Sequence, residues 1–262
     1  MVGLGMNERQ QVRIKDNFSR AAKHYTELTG FHQHLAEELV NRLDGRLSDE
    51  LILLDLGTGT GRLAEILKRK IPSSRVMGVD LSFEMMSHFS SGENVGLIQA
   101  DAGRLPFRDG QFDMIVSNAS LQWAEDLKNV FWEAKRTLRQ DGALCLNLFG
   151  QKTLMEFFDA IQSVGRVSPE LIGRLPSEVE VKEALLVTGW GEAKVDVEER
   201  LIGFESFQDM LGWVKKIGGN GLRHDFYFGK KLYRQLEAFF ENELQEEGQI
   251  RATIEVIWVY EG

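Results

Sequence analysis

The chain has 262 residues, 43% hydrophobic and 27% charged, with four prolines and no low-complexity tract, which fits an ordinary folded globule and excludes a disordered or fibrous one. Its one cysteine, Cys145, excludes an internal disulfide, and no Cys-x-x-Cys or paired-histidine spacing suggests zinc. The formal charge of -9 makes nucleic acid a poor partner, and the absence of a secretory start or of ~18 consecutive apolar residues predicts a cytoplasmic protein that crosses no membrane.

From Asn7 to Leu43, apolar residues recur at helical spacing (Val12, Phe18, Ala21, Ala22, Tyr25, then Phe31, Leu35, Leu39, Leu43), predicting two helices ahead of a sheet. Leu51 to Leu56 is a short apolar run followed by glycines, as expected of a buried parallel strand, and Arg62 to Lys70 reads as its crossover helix. The alternation continues: strand Arg75 to Val79, helix Phe83 to Phe89, strand Val95 to Gln99, strand Phe112 to Ser117, helix Leu127 to Leu138, strand Ala143 to Leu148. This rhythm predicts an α/β fold with a doubly wound, mostly parallel sheet. After Gly150 helices are predicted at Thr153 to Val164, Glu178 to Leu186, Phe207 to Lys216 and Lys230 to Leu244, with strands at Ala193 to Leu201 and Ile250 to Tyr260, the two strands forming an antiparallel pair at the sheet edge. One domain is expected, divided into a helical cap (1–46), a ligand-binding core (47–150), a helical insertion or substrate lid with a sheet-edge strand (151–249) and a final strand (250–262).

Asp55-Leu56-Gly57-Thr58-Gly59-Thr60-Gly61 follows a strand and opens a helix, where glycines let the backbone approach a ligand. A dinucleotide fingerprint would place its third glycine at position 62, which is Arg62, so the spacing favours a smaller nucleoside over NAD. Asp80, beside Leu81 at the end of the second strand, can accept from both ribose hydroxyls, and Asp101, beside Ala102 at the end of the third, is placed to accept from an adenine amino group.

Together with Phe112 to Asn118 of the fourth strand, these stretches resemble the class I methyltransferases that use S-adenosylmethionine, a family built on a seven-stranded Rossmann-like sheet. The resemblance implies S-adenosylmethionine as cofactor, held by Asp55, Gly57, Thr58, Gly59 and Gly61 at its methionine end, Asp80 and Leu81 at the ribose, Asp101 and Ala102 at the adenine, and Asn118 at the edge of the donor pocket. Outside this core, Asn17-Phe18-Ser19-Arg20-Ala21-Ala22-Lys23-His24-Tyr25, Ser117-Asn118-Ala119-Ser120-Leu121-Gln122-Trp123, Arg174-Leu175-Pro176-Ser177 and Lys215-Lys216-Ile217-Gly218-Gly219 look like the malonyl-acyl-carrier-protein O-methyltransferases of biotin synthesis. That likeness implies esterification of the free carboxylate of a malonyl thioester.

A carboxylate nucleophile needs no general base but does need a cation on its other oxygen. Arg174 is the first candidate, because a guanidinium grips a carboxylate through two parallel hydrogen bonds. Tyr25 could close the donor pocket, with His24 beside it. An acidic carrier protein, which the resemblance implies, requires a local basic face on this acidic chain, and Lys215, Lys216, Arg223, Lys230, Lys231 and Arg234 could supply it. The Ser-Asn-x-x-x-Gln-Trp stretch also occurs in trans-aconitate methyltransferases, which leaves a small free acid as an alternative acceptor, and a silent module that only binds S-adenosylmethionine as another. His32 and His34, two apart, are expected on different helix faces as surface polar residues. Cys145, Trp190, Trp213 and Trp258 are read as core packing.

Overall fold

A computed structural model describes residues 16, 19, 30–43, 45–48, 50–89, 94–165, 175–216, 229–243, 245–246 and 248–262. The described helices and strands are α1 (Gly30–Arg42), β1 (Ile52–Leu56), α2 (Arg62–Lys70), β2 (Arg75–Asp80), α3 (Phe83–Met86), β3 (Val95–Gln99), β4 (Phe112–Asn118), α4 (Leu127–Thr137), β5 (Leu138–Phe149), α5 (Met155–Ser163), α6 (Glu178–Val187), β6 (Lys194–Phe204), α7 (Phe207–Lys216), α8 (Lys230–Glu243), β7 (Gln245–Glu246) and β8 (Gln249–Glu261). The first of the two expected N-terminal helices falls largely outside the described residues, although Asp16 and Ser19 are helical.

The seven long strands lie in the order β3-β2-β1-β4-β5-β8-β6, with two-residue β7 paired to β8 off this path. Strands β1 to β5 are parallel, and β8 runs antiparallel to both β5 and β6. The doubly wound, mostly parallel, seven-stranded sheet is therefore present. Both faces of its centre are covered, which is why β1 is apolar at every position but Asp55. Leu53, Met114, Val116, Cys145 and Trp258 pack with α1, α2, α5, α7 and α8. Leu54, Ile115, Leu144, Leu146 and Ile257, facing the other way, pack with Val130 and Phe131 of α4, Val181 and Leu185 of α6, and Trp190.

The antiparallel pair closes the sheet edge as expected. The last strand, β8, is inserted between β5 and β6, so β6 is the edge. Burial agrees: β8 is buried at eight consecutive positions, Ala252 to Val259, whereas β6 largely alternates between half-buried and exposed residues. Helix α3 is four residues long, shorter than the expected Phe83 to Phe89. Its chain turns after Met86 and brings Phe89 against Gly61.

Helix α6 starts where a capping box dictates. Ser177 Oγ accepts from the Glu180 amide at 3.2 Å, and the Glu180 carboxylate accepts from the Ser177 amide at 2.9 Å. Among the described residues no helix is long and apolar enough to cross a membrane.

Strands β2 and β3 lie on one side of β1 and strands β4 and β5 on the other, so the order reverses between β1 and β4. In such a sheet the carboxyl ends of the strands at this switch open into a crevice. The glycine turn after β1 and the Asn118 turn after β4 meet there.

Candidate functional site

The turn after β1 is built from backbone that only glycine adopts cheaply. Gly57, Gly59 and Gly61 have φ of 69°, 54° and 82°. The amides of Gly57 and Thr58 both donate to the Val79 carbonyl at 2.8 and 2.9 Å, folding the turn over the end of β2. A side chain at Gly57 would sit 1.7 Å from Ser120 Oγ, so the β1 and β4 turns touch with no room between them.

Asp80, at the end of β2, holds the turn from below. One carboxylate oxygen accepts from the Gly59 amide at 2.9 Å, the other from the Ser82 amide at 2.8 Å. Asp101, after β3, accepts from the Gly103 amide at 2.8 Å. Asp55, at the end of β1, is 1% exposed and accepts from Thr58 Oγ1 at 2.7 Å. Burial outweighs that bond and, helped by the nearby charge of Asp80, raises the Asp55 pKa to about 7. Burial also raises Asp80, opposed by its amide donors.

These acids line one cleft enclosing about 1260 Å³, its open mouth included, together with Gly57, Thr58, Gly59, Leu81, Ala102 and Asn118. The structure thus brings together nine of the ten residues predicted at the donor site. Gly61 is the tenth: it lies outside the cleft lining, and its α-carbon faces the Phe89 ring, where a side chain would meet Cδ2 at 1.9 Å. Its position is explained by packing of the turn onto Phe89, in the segment that follows α3. His24, Tyr25, Arg174 and Arg223 fall outside the described residues. Lys215 and Lys216 end α7, and Lys230, Lys231 and Arg234 are exposed on the first turns of α8.

The Ser-Asn-x-x-x-Gln-Trp stretch proves to be scaffolding around the switch point. Ser117 Oγ donates to the Leu56 carbonyl at 2.6 Å, tying β4 to β1. Asn118 donates to the His32 carbonyl at 3.0 Å and accepts from Asn147 Nδ2 at 2.9 Å, while Asn147 Oδ1 accepts from the Ala119 amide at 2.9 Å. Gln122 donates back to the Ala119 carbonyl at 2.8 Å. Asn118, Ala119, Ser120, Leu121 and Trp123 of this stretch line the cleft.

His32 corrects the expectation of a surface residue. It is 7% exposed, lines the cleft and meets the Phe149 ring edge-on at a centroid distance of 5.3 Å, whereas His34 is exposed as expected. Its spacing of three from Leu35 and seven from Leu39 puts it on the apolar face of α1, a signal present in the sequence. Burial lowers its pKa to about 4, so the ring is neutral at pH ~7 and adds no positive charge to the cleft. Gln33, Arg62, Met85 and Ser120 also line the cleft, and sequence reasoning assigned none of them to it.

The raised Asp55 pKa has a calculable consequence. An acid whose folded pKa lies above its unfolded value of 3.8 costs stability when ionised, so its contribution favours the fold more as pH falls from ~8 through ~7 towards ~4. A cationic ligand prefers the ionised form, so its affinity should fall over the same window. Asp55→Asn is expected to stabilise the ligand-free protein above pH ~7 by on the order of 2–4 kcal/mol and to weaken cation binding there. Melting curves and titration calorimetry from pH ~5 to ~8 test this; a wild-type affinity that stays flat with pH would reject it.

A family profile described as "Methyltransferase domain" matches residues 54–146. The malonyl-[acyl-carrier protein] O-methyltransferase of Geobacter sulfurreducens is 32% identical over 79% of this chain and 80% of its own length. Its counterpart in Xylella fastidiosa is 28% identical over 94% of this chain and 85% of its own. Among solved structures, the YcgJ protein of Bacillus subtilis superposes with a TM-score of 0.60 at 21% identity, covering 87% of this chain and all of that one. A phosphoethanolamine N-methyltransferase of Haemonchus contortus, solved with S-adenosylhomocysteine, gives 0.54 at 20% identity, over 86% of this chain and 51% of that one. The fold is that of the class I methyltransferases, and the chain is an S-adenosylmethionine-dependent methyltransferase.

Proposed function

This chain belongs to the malonyl-[acyl-carrier protein] O-methyltransferase family, and on that premise we propose that it esterifies the free carboxylate of a malonyl thioester carried on an acyl-carrier protein, a step in making a biotin precursor. The observation that carries the donor half is the convergence of Asp55, Asp80 and Asp101 on one cleft beneath a turn too tight for any side chain at Gly57. The donor set fits the cofactor. A sulfonium and an ammonium suit a cleft of three carboxylates and a neutral His32, ribose hydroxyls suit the unused lone pairs of Asp80, and adenine suits Asp101 with the apolar flank of Leu81, Ala102 and Met85.

When bound, S-adenosylmethionine supplies an electrophilic methyl carbon, and an acceptor oxygen that bonds to it leaves the sulfur with the electron pair of the broken carbon–sulfur bond. A carboxylate is already an anion, so the protein needs no base and contributes alignment and exclusion of water. Asn118, held on both sides by His32 and Asn147, fixes the wall of the cleft between β4 and α1. Arg174 is the cation we assign to the second carboxylate oxygen, with Tyr25 and His24 on the acceptor side, and residues 151–249 as the acceptor-facing insertion. Lys230, Lys231 and Arg234 are exposed on one end of α8 and, with Lys215, Lys216 and Arg223, form the basic face we propose for the carrier.

The Ser-Asn-x-x-x-Gln-Trp stretch does not favour a small free acid, since its Ser, Asn and Gln amides and hydroxyl are bonded within the protein. The test is incubation with methyl-labelled S-adenosylmethionine and malonyl-carrier, malonyl-coenzyme A, free malonate and trans-aconitate side by side. A base-labile methyl ester on the carrier is expected, and label on aconitate instead would overturn the acceptor assignment. Arg174→Lys should cut acceptor turnover while leaving cofactor affinity within about twofold, because lysine keeps the charge but not the fork.

A further inference from the structure

Arg62, the residue that breaks the dinucleotide spacing, is the only Lys or Arg among the described residues lining the cleft, which it shares with three acids. It sits at the start of α2, and α1 and α2 pack against each other, with Gln33 of α1 lining the same cleft. One guanidinium nitrogen meets Glu65 at 3.1 Å across one helical turn. Its Nε is withdrawn from solvent and has no hydrogen-bond partner among the described residues. A buried guanidinium N–H without an acceptor is costly, and an anion in the cleft relieves that cost.

We infer that Arg62 receives the amino-acid carboxylate of the bound cofactor, with Gln33, whose Nε2 donates to Glu37 at 2.9 Å, also lining that cleft. The chemistry of the cleft leaves this group as the match. Every other charged side chain lining it is an acid, so the cationic parts of the cofactor have partners there and its single anion does not, except at Arg62. A guanidinium offers a carboxylate two parallel N–H donors, and Glu65 engages only one of its nitrogens. The Glu65 bond, on a pair about a third exposed on each side, holds the side chain in place without satisfying it. The inference rests on S-adenosylmethionine as cofactor and not on the identity of the acceptor.

The experiment is binding by titration calorimetry of S-adenosylhomocysteine and of its decarboxylated counterpart, which keeps the adenosine, sulfur and amine but lacks the carboxylate. Wild-type protein should prefer S-adenosylhomocysteine. Arg62→Ala should weaken S-adenosylhomocysteine by about 10- to 100-fold, as for loss of charge-assisted hydrogen bonds, and leave the decarboxylated ligand within about twofold. Arg62→Lys should fall between, and serves where the alanine variant does not fold. Equal weakening of both ligands would show a structural role and overturn the assignment, as would an unchanged preference in either variant. Failure of wild-type protein to bind either ligand would instead count against the cofactor assignment itself.

Discussion

Asp80→Ala is expected to lower the affinity for S-adenosylmethionine by about 100-fold or more, close to 3 kcal/mol, the largest binding loss foreseen for any single carboxylate here. Two effects add. The ribose loses a charged acceptor, and the amides of Gly59 and Ser82 lose the oxygens that hold the turn at 2.9 and 2.8 Å. For the ligand-free fold the loss of those two amide acceptors is offset by relief of a buried carboxylate, whose burial raises its own pKa and whose charge raises that of Asp55. Calorimetry should therefore show the affinity lost while the melting temperature without ligand moves by only a few degrees. A variant that binds as tightly as wild type would reject the ribose role, and one that melts far earlier without ligand would make Asp80 a residue of the fold instead.

Gly57→Ala should destabilise the protein by about 3 kcal/mol or more. The left-handed backbone at φ 69° costs an alanine about 1 kcal/mol, and the added methyl would lie 1.7 Å from Ser120 Oγ and 2.4 Å from its Cβ. Ser120 cannot simply turn away, since its Cβ is part of the clash and the preceding Ala119 is pinned by Asn147. Gly59→Ala is the informative companion. Its φ of 54° is similar, yet the nearest atom to a new Cβ is Met85 Cε at 3.4 Å, an ordinary contact, so its fold should lose only about 1 kcal/mol. Denaturant midpoints separate the two, and equal stability of both variants would disprove the claim that the β1 and β4 turns are in contact at Gly57.

Much of this site is legible because the ends of parallel strands gather in one crevice, so acids and glycines far apart in sequence share a place once the strand order is known. Asp55, Asp80 and Asp101 needed only that rule. The spacing of His32 from His34 points to the surface, but its alignment with Leu35 and Leu39 on the buried face of α1 is the stronger signal. Asn118 lines the cleft as its place at the end of β4 implies, but the bonds its amide makes to α1 and β5 are pairings that no local pattern reveals. The near-continuous apolar run of β8 against the largely alternating pattern of β6 does carry the distinction between an inner and an edge strand.

The amino-acid sequence alone determines the alternation of strands and helices, the glycine turn and the strand-end acids, because each is a local pattern of burial period or backbone freedom. Only the tertiary structure decides that β8 enters between β5 and β6, that Gly61 packs on Phe89 while Gly57 packs on Ser120, and that Arg62 and His32 face one cleft. Those outcomes depend on which distant surfaces come into contact, and contact between distant surfaces is settled by packing the whole chain at once.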